Sequence, residues 1–134
     1  MPPDDPTVDD AVSLYRLLNP TLDIAWDDDE GRWIVKSSAF QNSTGTDQMS
    51  VVLGDQLDQD GRSPADARRT KPDWYVVSLI AGDMRQEDQG VLRDPVPEEP
   101  AHGNVVGEKG KSRRRRFKDL AVWVVEPSGE GPAN

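Results

Sequence analysis

Cysteine is absent from the 134 residues and histidine occurs once. The first absence excludes disulfides, thiolate metal sites and thiol nucleophiles. The second leaves no imidazole pair for a transition metal, so no metal and no cofactor are expected. Aromatic residues make up only 6% of the chain, and hydrophobic residues 34% against 31% charged. The core must therefore be small and built from Val, Leu, Ile and Trp. No stretch approaches the roughly 20 apolar residues of a membrane span. The acidic start, Met1-Pro-Pro-Asp-Asp-Pro6, has neither the basic opening nor the apolar run of a secretory signal. Glycine-rich phosphate loops and the Gly-x-Ser-x-Gly elbow are missing too. Asp27-Asp-Asp-Glu-Gly31 shares only its acidity with a calcium loop. A soluble cytoplasmic protein without membrane contact is the expectation.

What is present is charge, unevenly placed. The net charge is −9, which opposes general attraction to nucleic acid or anionic lipid. Aspartates crowd residues 1–10, and bases crowd Lys109 to Lys118. Global repulsion thus coexists with one local face that attracts anions. A chain of this length suits one domain. We expect a disordered lead over 1–9, a single globular domain over 10–126, and a disordered tail over 127–134, since the two ends offer little to bury.

Local patterns predict an α+β fold, with an antiparallel or mixed sheet carrying two or three helices on one side. Val12 to Leu18 satisfies both alternation and helical spacing. With Asp10 available as an N-cap and Asn19-Pro20 as a stop, a short helix is expected there. Leu22–Trp26 and Arg32–Lys36 flank an acidic turn and read as a hairpin. Gln48–Leu53 reads as a strand, followed by a polar loop to Gly61. Ser63-Pro64-Ala-Asp66 starts a short helix over 64–70. Trp74–Ile80, aromatic and β-branched, is the best strand and should be central. Val91-Leu92 and Asn104–Val106 add short strands. Ser112 would cap a last helix running to Val124, with Phe117, Leu120, Ala121 and Val124 as its apolar stripe. The β-branched residues Val122, Val124 and Val125 keep a terminal strand open as the rival.

Candidate chemistry gathers in Arg93-Asp-Pro-Val-Pro-Glu-Glu-Pro-Ala-His-Gly-Asn-Val-Val-Gly107. Pro95, Pro97 and Pro100 stiffen the backbone, and alternate prolines favour an extended, polyproline-like path. Such a segment either presents Val96 to a partner or packs as a rigid loop. His102 is suited to general-base work because its pKa lies near neutrality. Asp94 is an available orienting carboxylate, and Ser37, Ser38, Ser50 and Ser78 are candidate hydroxyls. The competing reading is a structural histidine. Lys36-Ser37-Ser38 could hold an anion at a strand end, or simply turn Ala39 and Phe40 into the core. Arg113, Arg114, Arg115 and Arg116 would occupy the first turn of the last helix, where cations oppose the macrodipole. An anionic partner, or an acidic patch such as 27–30, should offset that placement. Arginine also suits bidentate phosphate contacts.

Three segments, Ser37-Ser-Ala-Phe40, Met49-Ser-Val51 and Asp94 to Gly107, resemble the blocks of a group of small uncharacterised bacterial proteins. That resemblance carries no activity over. It marks Ser37, Ser38, Arg93, Asp94, Pro100 and His102 as residues to test as one surface. The order of Arg16, Ser37/Ser38 and Glu126 also resembles the arginine, serine strand and late glutamate of NAD-using ADP-ribosyltransferases. The surrounding glycine and aromatic motifs differ from theirs. The leading expectation is a non-enzymatic bacterial binding module. It would recognise a protein partner or an anionic ligand through Arg93, Pro95, Pro97, Pro100, His102 and Arg113–Arg116. The alternatives are a small enzyme built on His102, Ser37 or Ser38, Arg16 and Asp94, and a nucleic-acid-associated protein using the arginine block.

Overall fold

The computed structural model describes residues 2–129. Its centre is a six-stranded antiparallel sheet, made of β1 (Ser13–Leu18), β4 (Gln48–Leu53), β5 (Tyr75–Ile80), β6 (Gly90–Arg93), β7 (His102–Val106) and β8 (Val122–Val125). The spatial order is β6-β7-β4-β1-β5-β8. A separate hairpin pairs β2 (Ile24–Asp27) with β3 (Arg32–Val35). The helices are α1 (Gly54–Gln59), α2 (Ala81–Gln86) and α3 (Lys111–Leu120), with 3₁₀ turns over Ser37–Phe40 and Pro64–Arg68. The fold is α+β, as the sequence pattern predicts. None of the helices is long and apolar enough to cross a membrane among the described residues.

Alternation along the strands divides the core between two faces. Leu14, Leu18, Met49, Val51, Leu53, Val77, Leu79 and Val105 point to one face. They pack against Met84 of α2, Phe117 of α3, Phe40 of the first 3₁₀ turn, and Ile24 and Val35 of the hairpin. Phe40 and Phe117 meet edge-on, with ring centroids 6.3 Å apart, an arrangement aromatic quadrupoles favour. Tyr15, Val52 and Val76 point to the other face, against Leu57 of α1, Ala67 of the second 3₁₀ turn and Ala101. Two helices therefore share one side, and α1 lies across the sheet from them.

Several local expectations are overturned. Val12–Leu18 is not a helix. Ser13–Leu18 pairs with β5 along its whole length, and tertiary pairing decides a segment whose pattern fitted both periods. The loop expected after Leu53 contains α1, whose Leu57 is buried. The short helix after Ser63 is a 3₁₀ turn ending at Arg68, though its capping box between Ser63 and Asp66 is present. The last helix stops at Leu120. Gly110, not Ser112, precedes it, and of the expected stripe Phe117 is its one buried residue while Leu120 is exposed. Val122–Val125 is the rival strand, β8.

The expected loose lead is also corrected. Val8 is buried in the main core. The Asp5 N–H donates to the Val91 carbonyl at 2.9 Å, and the Val91 N–H to the Asp4 carboxylate at 2.8 Å. Residues 4 and 5 thereby cover the β6 edge, which would otherwise expose unpaired backbone groups. Arg85 clamps the arrangement through Asp4 and Asp10. Of the expected tail, 127–129 are described, and the Trp33 indole N–H donates to the Gly129 carbonyl at 3.3 Å; residues 130–134 lie outside the described residues.

The lead approaches so closely that only glycine fits at position 90. A Cβ there would stand 1.7 Å from the Pro3 carbonyl oxygen. Gly90→Ala should cost about 1–3 kcal/mol in urea unfolding, the usual range for overpacking. In a chain lacking residues 2–5 the same substitution should be close to neutral. An equal loss in both backgrounds would show that the lead is not what the alanine displaces.

Candidate functional site

The two central strands β1 and β4 pair only through Leu14 with Leu53 and Tyr15 with Val52. A continued antiparallel register would next set Arg16 against Val51 and then Leu17 against Ser50, and neither pair is formed. The sheet therefore splits at its middle. The guanidinium of Arg16 fills the split, donating from Nε to the Ala39 carbonyl at 3.0 Å and from Nη1 to the Ser50 carbonyl at 2.8 Å. The Ser50 oxygen, which a regular ladder would give to a main-chain N–H of β1, is satisfied by a side chain instead. Arg16 is largely buried. Burial lowers its pKa, and the nearby Asp23 carboxylate acts in the opposite direction.

Above the split lies the proline segment. Its path is extended only as far as Val96. Val96-Pro97-Glu98-Glu99 then reverses the chain, with Val96 and Glu99 exchanging both main-chain hydrogen bonds at 3.2 and 3.0 Å. Pro97 stands second in this turn, where its fixed φ suits the geometry. Glu99 is the anchor. Its carboxylate is buried and takes two hydrogen bonds from Arg62, at 2.5 and 2.6 Å, and a third from the Ala101 N–H at 3.1 Å. Burial would raise its pKa, but these bonds outweigh that and hold it below the ordinary carboxylate value. Arg62 also donates to the Asp66 carbonyl, so the proline turn is tied to the 3₁₀ turn at Pro64–Arg68.

Between the split and this turn is a cavity of about 490 Å³. Arg16, Leu17 and Ser50 form its floor, Val96, Glu98 and His102 one wall, and Lys71 and Trp74 another, with Leu22 and Asp23 at a rim. The Lys71 ammonium sits 5.0 Å from the centre of a Trp74 ring, within cation–π range. His102 approaches the Asp94 main-chain carbonyl through Nδ1 at 2.8 Å. A carbonyl only accepts, so Nδ1 carries the proton and Nε2 of the neutral ring is left as an acceptor. The Asp94 carboxylate is 3.5 Å from Nδ1 and accepts from the Asn104 amide at 2.9 Å.

The structure thus brings Arg16 and His102 to one cavity, with Asp94 behind the imidazole. Ser37 and Ser38 lie on the 3₁₀ turn whose Ala39 carbonyl holds Arg16, and they are not among the residues that line the cavity. The hydroxyl-bearing residues that do line it are Ser50 and Thr70. Glu126 follows β8, is exposed and does not line it either. Pro95, Pro97 and Pro100 are exposed. Arg93 is engaged, forming a two-bond pair with Asp55 at 2.6 and 3.1 Å and bonding Thr7.

The arginine block sits on α3, whose buried Phe117 packs on the opposite face of the sheet. Arg113 and Arg116 pair with Glu87 at the end of α2, and Arg113 also with Asp88. The acidic patch that offsets these cations is therefore Glu87 and Asp88, not residues 27–30. Arg115 is exposed and Arg114 half-buried. No group of acids, histidines or cysteines suited to a metal ion is present among the described residues.

Lys109 is the titratable residue that sequence reasoning missed. Its side chain is buried, and Nζ donates to the Asn42 side-chain oxygen at 2.5 Å and to the Val105 and Gly107 carbonyls at 2.9 Å. Burial lowers its pKa to about 8, with Asp47 opposing the shift. Nothing in Gly107-Glu-Lys-Gly110 distinguishes it from the surface lysines around it. Comparison of the chain with protein families, curated proteins and solved structures finds no match.

Proposed function

We propose that the chain is a non-enzymatic bacterial binding module, recognising a protein partner or an anionic ligand in the cleft beneath the proline turn. One observation carries the reading: a largely buried arginine lies at the floor of an open cleft in a split sheet. A cation in that position attracts anions more strongly than one in open water, because the surrounding dielectric is low. The stiff Asp94–Gly107 segment supplies the cleft's wall, and rigid walls lose little entropy on binding. Of the arginine block, Arg114 and Arg115 are the members left to contribute, since Arg113 and Arg116 are engaged with Glu87.

The reading is tested by following backbone amide resonances of the full chain while fractions of a bacterial cell extract are added. Binding at the cleft should move Leu17, Ser50, Val96 and His102, and Val96→Glu, which places a negative charge in the opening, should abolish the response. Extract fractions that leave these resonances unmoved would remove the reading.

A second reading, a small enzyme, is favoured by His102 alone. Its Nδ1 contact leaves Nε2 free to accept a proton in the same cavity as Arg16 and Ser50. Chemical conversion of a bound component by the native chain, lost in His102→Gln, would select this reading over the first. Binding without conversion selects the module.

A further inference from the structure

We infer that the cleft takes a small organic oxyanion, a carboxylate or a phosphate carried on an apolar body, with Arg16 as its anchor. The inference rests on the binding-module reading and adds the chemical class of the ligand. Arg16 is held in place by two carbonyls that use its Nε and Nη1. Nη2 makes no hydrogen bond among the described residues. It is also not one of the side-chain atoms that are both sealed from solvent and partnerless, so it keeps accessible surface on a residue that lines the cavity. A guanidinium locked on one edge with N–H groups free on the other is preorganised for oxyanion contact.

The buried charge of Arg16, rather than the lining as a whole, favours an anion over a neutral acceptor, since Arg16 and Lys71 are matched in number by Asp23 and Glu98. Asp23 is the acid whose field reaches Arg16, and its carboxylate already accepts the Asn19 N–H at 2.7 Å. The carbonyls of Ala39 and Ser50 are dipoles and leave the unit charge in place. Lys71 adds a second cation on the wall. Of the nearby glutamates, Glu99 is neutralised by Arg62, and Glu98 is exposed. The body of the ligand would lie on Trp74, Val96 and Leu22, the last 65% exposed at the rim. A cavity of about 490 Å³ suits a compact organic molecule, because ligand pockets commonly run to roughly 300–1,000 Å³.

Phenylacetate, phenyl phosphate and the neutral phenylacetamide, titrated into the full chain with NMR detection, test the assignment. The anions should move Leu17, Ser50 and His102, with the amide at least about tenfold weaker, a difference of roughly 1.4 kcal/mol. Preference between the two anions separates a carboxylate from a phosphate source. Arg16→Met should abolish anion binding. Because that change also strips donors from Ala39 and Ser50, Leu22→Asp is the companion: its exposed position leaves the fold intact, all three probes lose the same apolar contact, and a new negative charge at the rim should weaken the anions at least about fivefold more than it weakens the amide. Equal binding of amide and acids in the cleft would overturn the oxyanion assignment and leave the binding module standing. Anions that move only Arg113–Arg116 would also overturn it. If none of the three probes moves the cleft, the oxyanion assignment falls, and the module reading falls with it only where cell extract also leaves the cleft unmoved.

Discussion

Replacing Arg62 by methionine should destabilise the protein by about 3–5 kcal/mol at neutral pH, the range for stripping one partner from a buried ion pair. Glu99 has a side chain only 5% exposed and Arg62 one 10% exposed. Methionine keeps the aliphatic stem of the arginine but leaves the carboxylate with the Ala101 N–H as its remaining donor. Urea unfolding of Arg62→Met, Glu99→Met and the double variant separates the pair from its burial cost. The double variant should recover most of the loss, since two apolar side chains need no partner. The pH dependence is equally specific. In the native chain the folded pKa of Glu99 lies below the ordinary 4.5. Its contribution is therefore present above pH 4.5 and is lost as the pH falls through the folded value. In Arg62→Met, burial without the arginine should raise that pKa instead, so the deficit should shrink as the medium is acidified and the carboxyl becomes neutral. A deficit that stays constant from pH 7 to pH 4 would mean that Arg62 acts through packing alone. Since Glu99 holds the proline turn, the same variant should also loosen the cleft wall before the whole domain unfolds.

The strands that carry their own signature were legible in the sequence. Gln48–Leu53 and Trp74–Ile80 combine β-branched residues with turn signals at their ends, and the structure places strands at Gln48–Leu53 and Tyr75–Ile80. The acidic turn between Trp26 and Arg32 is flanked by pairing partners, and Trp26 does face Trp33. What failed did so for a physical reason. Ser13–Leu18 has apolar residues at spacings that suit a helix or a strand, and only its contacts with β5 and β4 decide between them. The lead offered no hydrophobic pattern beyond Val8. Its order comes from Asp4 and Asp5 bonding an edge strand more than 80 positions away, which no local reading detects.

The site was legible in part. His102 and the proline segment stood out by residue type, and both border the cleft. Arg16 drew attention only through its order relative to Ser37, Ser38 and Glu126 and as a member of the enzyme alternative, because the property that matters, its place in a split between central strands, belongs to the sheet. The serine pair misled through its neighbours: Lys36-Ser-Ser looked like an anion cradle, whereas the turn's contribution to the site is the Ala39 carbonyl. The arginine block misled by density. Charge runs are visible in one dimension, but the acids that neutralise this one, Glu87 and Asp88, come from the end of another helix.

Lys109→Met should destabilise the protein by about 2–3 kcal/mol at pH 7, and the loss should grow as the pH rises. The ammonium joins Asn42 of the loop before β4 to the main chain at Val105 and Gly107. Methionine fills much of the same space but leaves the Asn42 oxygen and a buried carbonyl short of a donor, at about 1–3 kcal/mol for such a group. Gly107 cannot relax easily to compensate. Its φ is +145°, and a Cβ at this position would stand 2.8 Å from the Gln89 side-chain nitrogen. The pH term follows from the folded pKa of about 8 against 10.5 for the ordinary lysine. Between those values the unfolded chain binds the proton and the folded chain does not, so this group adds stability as the pH rises. Methionine has no such term. The gap between native and variant in urea unfolding should therefore widen by about 2 kcal/mol from pH 7 to pH 9.5. Tyrosines and surface lysines titrate alike in both proteins and cancel in the difference. A gap that narrows over this interval would instead mean that the three oxygens hold the ammonium more strongly than burial opposes it, and that Lys109 stays charged throughout.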